Sequence, residues 1–167
     1  MWFFNQWVNR PQPINAVLGG LCLGLVGMAL AIEVGLGMEP CPLCLFQRVA
    51  FVVMGGVLLL GVVLPGWTVG LLAGSAALAG IALAWRHLWL QSLPADEVPA
   101  CGPGLGYLVD AFPLADVVTM VLAGSGECAE VDRILGVSIP LWTLLAFAVL
   151  GVVAVAVNWT AALKGRV

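Results

Sequence analysis

Charge is what this chain has least of. Asp, Glu, Lys and Arg make up 9% of its 167 residues, against roughly 25% in an average soluble domain. A small soluble fold needs more polar surface than that. The 6 basic residues form no cluster, so no phosphate-neutralising patch exists and nucleic-acid binding is excluded. No glycine-rich phosphate loop ending in Lys-Ser or Lys-Thr occurs, which removes ATP-driven transport. With 1 histidine in the chain, a zinc site of four nitrogen or sulfur ligands would consume nearly every loop cysteine, so no metal centre is expected. Collagen-like, coiled-coil and disordered chains are excluded by the opposite excess: 62% of residues are hydrophobic and the mean hydropathy is +1.11. That is the composition of a multi-span membrane protein, long enough for one bundle, 1–167, rather than two domains.

Crossing the hydrocarbon core takes about 20 apolar residues of helix. The windows that qualify are 14–32, uncharged up to Glu33; 45–64, with Arg48 near its start; 67–85, stopping at Arg86 and His87; and 139–162, stopping at Lys164. Backbone groups in lipid must be satisfied within each segment, so all of these are read as helices. The expected fold is all-α, a four-transmembrane-helix bundle. Loop 33–44 joins spans one and two, Pro65-Gly66 joins two and three as a tight hairpin, and a long loop, 86–138, joins three and four.

All 9 acidic residues lie in the first and the long loop, whereas Arg10, Lys164 and Arg166 flank the spans on the opposite side. Basic flanks favour the cytoplasm, so both termini are expected there and the two loops in the periplasm. Trp2, Trp7, Trp67 and Trp159 fall at one interface and Trp85, Trp89 and Trp142 at the other, the headgroup depth that tryptophan prefers. Gly20-x-x-x-Gly24 and Gly66-x-x-x-Gly70-x-x-x-Gly74 have the spacing of close helix–helix contacts. Span one also has the look of a secretory signal, with Ala29-Leu30-Ala31 as a cleavage site. Its apolar run exceeds a signal's usual ~7–15 residues, so it is read as a retained span.

The 5 cysteines are sorted as sharply as the charges. Cys22 lies mid-span and is read as a small packing residue. Cys41 and Cys44 stand in the first loop, Cys101 and Cys128 in the long one, on the side where the compartment outside a bacterial inner membrane permits disulfides. In Cys41-Pro42-Leu43-Cys44, Pro42 suits the first helical position of span two, which places Cys41 near the N-cap and Cys44 in the first turn. Both placements suit the thiolate that performs exchange chemistry. Arg48 follows Cys44 by four residues and shares its helix face. An arginine inside an apolar span marks a site or a watery cavity, unless it simply snorkels to the interface. Cys101 and Cys128 form either a structural tether or a second, exchangeable pair; flanking glycines favour exchange. Between them, 114–122 is apolar but too short to span, and is expected to lie in the interface. His87, at the outer end of span three, is either an interfacial anchor or a proton shuttle or carbonyl donor near Arg48.

Four spans, Cys-x-x-Cys then Cys-x-x-x-Arg opening span two, a second cysteine pair in a long loop, and Gly126-Glu127-Cys128-Ala129-Glu130 together resemble the bacterial disulfide bond formation protein B (DsbB) family, over nearly the whole chain. The resemblance implies a thiol:quinone oxidoreductase of the bacterial inner membrane. Its partner would be a periplasmic thioredoxin-like dithiol oxidase, DsbA-like, and its cofactor a quinone, ubiquinone or menaquinone, drawn from the lipid. By resemblance, the reduced partner attacks a Cys101–Cys128 disulfide at Cys101, freed Cys128 engages Cys41, and Cys44 is released as a thiolate facing the quinone. Arg48 would hold a quinone oxygen and stabilise that thiolate, and His87 would neighbour the ring. Gln47 stands where some relatives carry an acid, and no role is assigned to it. A vitamin K epoxide reductase-like enzyme fits less well, because its active Cys-x-x-Cys comes late in the bundle. The remaining alternative is a non-enzymatic scaffold or soft-metal carrier with structural disulfides.

Overall fold

Prolines and glycines punctuate the helices. The computed structural model describes residues 10–37, 40–94, 96–102 and 104–165. Helix α1, Pro11–Leu36, opens on Pro11 and closes at Gly37, whose φ of 63° is left-handed and whose N–H reaches back to the Glu33 carbonyl. Helix α2, Pro42–Val63, stops where Leu64 precedes Pro65 and leaves the helical region. Helix α3, Trp67–Gln91, starts directly after Gly66. Helix α6, Ile139–Leu163, carries Pro140 in its first turn. These four are long and apolar enough to cross a membrane, as the sequence predicts. They overrun the hydropathy windows, so that Glu33 lies inside α1 and both Arg86 and His87 lie inside α3.

The long loop has more structure than its glycines suggest. It contains α4, Leu105–Ala111, and α5, Leu114–Ala123. The second coincides with the apolar segment between the loop cysteines. A short 3-10 turn, Gly126–Ala129, follows, and then the two-residue strands β1, Arg133–Ile134, and β2, Val137–Ser138, paired antiparallel. The turn between them carries Leu135 and Gly136 at φ 55° and 80°, the positive values of a two-residue hairpin turn.

Packing runs α1 on α2, α2 on α3 and α3 on α6. The spacing of Gly70 and Gly74 is used as predicted: a Cβ on Gly74 would approach Val155 to 2.8 Å and one on Gly70 would approach Asn158 to 3.0 Å. The Gly20/Gly24 pair is not used. Both are exposed with nothing within 4 Å, and the close approach of α1 to α2 is made by Gly19 against the Gly55 carbonyl, with Cys22 buried beside it. The helix is turned by one residue relative to the expected motif. Lipid and protein interior are equally apolar, so the hydropathy pattern does not choose the facing residue. Exposed Trp67 and Trp159 sit at one end of the bundle, and exposed Trp85, Trp89 and Trp142 at the other. Trp2, Trp7 and Arg166 lie outside the described residues.

At the Trp67 end, Asn15 of α1 and Asn158 of α6 exchange two amide hydrogen bonds, at 3.1 and 2.9 Å, and Asn15 also donates to the Gly61 carbonyl of α2 at 3.4 Å. Both are fully buried. Their pairing ties the first and last spans together through groups that lipid cannot satisfy. Replacing Asn158 with leucine leaves the Asn15 carbonyl oxygen without a donor and is expected to cost about 1–2 kcal/mol, the range for polar groups inside membrane bundles. Thermal unfolding in detergent checks this, and the Asn15→Leu/Asn158→Leu double variant should lose less than the sum of the singles.

Candidate thiol redox site

At the other end of the bundle the N-terminus of α2 builds a cysteine cluster. Cys41 is the N-cap, its sulfur accepting the Cys44 N–H at 3.4 Å, and Pro42 occupies the first helical position, where a missing N–H is harmless. One turn of helix therefore brings Cys44 Sγ to 3.1 Å from Cys41 Sγ. Cys41 is buried and Cys44 half-buried.

His87 comes to this pair from α3. Its ring is 3% exposed, with Nε2 3.9 Å from Cys41 Sγ and Nδ1 4.0 Å from Cys44 Sγ. Behind the ring, Gln47 Nε2 lies 3.4 Å from His87 Nδ1, and the Gln47 carbonyl oxygen accepts from the Thr143 hydroxyl of α6 at 2.8 Å. Three helices thus fix one imidazole against one dithiol. The sequence placed His87 near the site but left Gln47 without a role and passed over Thr143. Nothing in a string of apolar residues tells which face of α6 turns toward α2.

Arg48 has a partner the sequence reading missed. It forms an ion pair with Glu33 near the end of α1. Both side chains are partly buried, and the pair explains how an apolar span tolerates an arginine: each charge is neutralised at the same depth. A signal existed, since charges this rare at the facing ends of consecutive spans should meet. Only Nη1 is engaged; among the described residues Nε and Nη2 have no protein acceptor.

The long loop delivers the second cysteine pair to the same place. Cys128, fully buried in the 3-10 turn, packs in a cluster with Cys41, Leu43 and Leu90. Hydrogen bonding with Cys41, burial and the charge of a neighbouring Cys41 thiolate push the Cys128 thiol above its ordinary value. Cys101 is exposed and stands beside Gly126, where an added Cβ would meet its sulfur at 3.1 Å and the Pro99 carbonyl at 2.7 Å. The Gly126 N–H bonds the Ala100 carbonyl at 3.2 Å, so the absence of a side chain lets the two cysteine segments lie side by side. Arg86 holds the loop from α3, donating to the Leu122 and Ala123 carbonyls at 2.9 and 2.8 Å at the C-terminal end of α5, where a cation is favoured. Exposed Cys101 thus stands at the loop surface, while buried Cys128 packs with Cys41, which touches Cys44 at the head of a spanning helix.

Comparison with known proteins gives the family. The sequence profile of the family described as "Disulfide bond formation protein DsbB" matches residues 11–157. The chain belongs to the DsbB family. A disulfide bond formation protein B of Chromohalobacter salexigens is 51% identical over 137 residues, 78% of this chain and 80% of its own length. One of Hahella chejuensis is 54% identical over 130 residues, 74% and 79% of the two chains. One of Chromobacterium violaceum is 45% identical over 156 residues, 90% of each. The DsbB assignment makes this a multi-pass, disulfide-forming membrane oxidoreductase, with the cysteine cluster at one end of its four spans.

Proposed function

We propose that this DsbB-family protein is a thiol:quinone oxidoreductase of the bacterial inner membrane, with both termini cytoplasmic, that reoxidises a periplasmic thioredoxin-like dithiol protein of the DsbA type. The observation that supports it best is the contact of Cys128 with Cys41, at the point where the Cys41–Cys44 pair meets the head of a spanning helix. In the oxidised protein, a thiolate of the reduced partner attacks the Cys101–Cys128 disulfide at exposed Cys101, forming a mixed disulfide and releasing Cys128. The partner's second thiol closes its own disulfide and releases Cys101. Cys128 attacks the Cys41–Cys44 disulfide at adjacent Cys41, and Cys44 leaves as a thiolate. Cys101 then closes on Cys128 and restores the loop disulfide, so the electron pair resides on Cys41 and Cys44.

The residues around Cys44 fit a quinone. Cys44 is half-buried, and Arg48 one turn on keeps two guanidinium nitrogens that have no protein acceptor among the described residues. Arg48 would donate to a carbonyl oxygen and Cys44 would face the ring. A bound quinone, ubiquinone or menaquinone, supplies the acceptor for two electrons and two protons. His87, whose nitrogens face the two sulfurs and Gln47, is placed to hold the proton that leaves the dithiol.

The test is anaerobic. Purified protein, a reduced thioredoxin-like partner and a soluble quinone should lose quinone absorbance and free thiols together, one dithiol per quinone. No quinone loss would overturn the proposal, and a scaffold with structural disulfides would give that result. Arg48→Gln should raise KM for quinone by about tenfold or more, the loss of a hydrogen bond from a charged donor. Its rate of thiol exchange with the partner, measured without quinone, should not change.

A further inference from the structure

We propose that the reduced Cys41–Cys44 pair and His87 form a binding site for one thiophilic d10 cation, Zn2+ being the common example, and that its occupancy blocks the thiols. The sequence argued against a metal because four nitrogen or sulfur ligands would consume nearly every loop cysteine. The fold gathers two cysteines and the histidine and leaves Cys101 and Cys128 out of the set. One ligand atom from each of Cys41, Cys44 and His87 lies within 4.8 Å of the others.

The distances suit the coordination. Zinc–sulfur and zinc–nitrogen bonds of about 2.3 and 2.0–2.1 Å place tetrahedral ligand atoms roughly 3.5–3.8 Å apart. The observed Cys41–Cys44 and Cys41–His87 separations are 3.1 and 3.9 Å, so small side-chain rotations reach the ideal. Two sulfurs and one nitrogen select a soft or borderline ion over magnesium or calcium, which want oxygen. Two thiolates cancel the charge of a divalent ion, and a neutral complex suits a largely buried position at the edge of the bundle.

A metal-binding histidine usually donates its other N–H to an acceptor; here the Gln47 amide faces Nδ1, presently through its nitrogen at 3.4 Å. Thr143 Oγ1 has two acceptors, the Gln47 carbonyl and the Pro140 carbonyl at 2.9 Å. When the hydroxyl donates to Pro140, the Gln47 amide can turn over so that its oxygen accepts from His87 Nδ1–H. Nε2 then presents its lone pair toward Cys41. The fourth position opens on the half-exposed side of Cys44, where water can complete the shell. Binding exchanges the thiol protons for the metal and moves no electrons. It is confined to the reduced state, because a Cys41–Cys44 disulfide offers no thiolate. Metal-bound sulfurs cannot attack or be reoxidised, so such an ion would hold the protein in its reduced form.

The site is read on the protein alone, with neither quinone nor partner, so its failure leaves the oxidase proposal untouched. The full chain carrying Cys101→Ser and Cys128→Ser is reduced, freed of reductant under argon and titrated with ZnCl2. Bound zinc is measured together with maleimide reactivity of the thiols. One zinc per reduced chain is expected, with Cys41 and Cys44 protected. The oxidised protein should retain less than about a tenth of that, and Cys44→Ser should remove it. His87→Ala, or His87→Gln should the alanine variant misfold, is expected to weaken binding about tenfold or more. Equal binding by oxidised and reduced protein, undiminished binding by Cys44→Ser, or an unchanged affinity in both His87 variants would overturn the proposal. So would loss of binding on removing Cys101 and Cys128 alone.

Discussion

If the protein is the thiol:quinone oxidoreductase proposed, Cys44→Ser is expected to leave quinone reduction at background, a fall of at least about a thousandfold, as when one member of a catalytic set that acts as a unit is removed. The size of the effect follows from the chemistry. A serine hydroxyl neither forms a disulfide with Cys41 nor ionises at neutral pH, so in the proposed relay the electron pair from Cys128 has no way on to the quinone. The structural cost should be small, because Cys44 is only half-buried and its contribution to the helix start is its backbone N–H, donated to Cys41 Sγ. Unchanged thermal unfolding with abolished quinone reduction is the expected combination, measured by quinone absorbance with a reduced dithiol partner. A Cys44→Ser protein that still reduced quinone at the normal rate would remove Cys44 from the electron path.

Gly80→Val is expected to be the most destabilising single change in the bundle, at about 1–3 kcal/mol or more. A Cβ at Gly80 would fall 2.4–2.5 Å from atoms of the Phe147 ring. That ring has nowhere to move: it is fully buried and stacked on Phe51, with centroids 3.8 Å apart. Helices α3 and α6 would have to separate, and α3 carries His87, so activity should fall with stability. Gly20→Val is the control. It adds the same side chain where nothing lies within 4 Å, and it should leave the unfolding midpoint in detergent almost unchanged. If both variants unfolded alike, the assignment of helix faces would be wrong.

The contrast between these glycines marks the limit of what could be read along the chain. Gly20 and Gly24 match the spacing rule and face outward, whereas Gly19, Gly55, Gly80 and Gly151 do the packing. In a soluble helix the polar face reveals the orientation. Here the spans are apolar all round, and orientation is decided by side-chain shape across the interface.

What the sequence determined by itself is local or compositional. Spans, hairpin and loops follow from the length of apolar helix that a bilayer demands. The helical start at Pro42 with Cys41 as its N-cap follows from proline's missing N–H and the unpaired donors of a first turn. That 114–122, which forms α5, does not cross the membrane follows from an apolar run too short to span. The tertiary structure alone decided the pairing of Asn15 with Asn158 and the way Gln47 and Thr143 back His87 against the dithiol, and it showed that Glu33 meets Arg48 and that Cys128 packs with Cys41. Each of these joins residues from different elements. Such encounters depend on how each helix is rotated about its axis, a quantity that hydropathy in lipid does not encode.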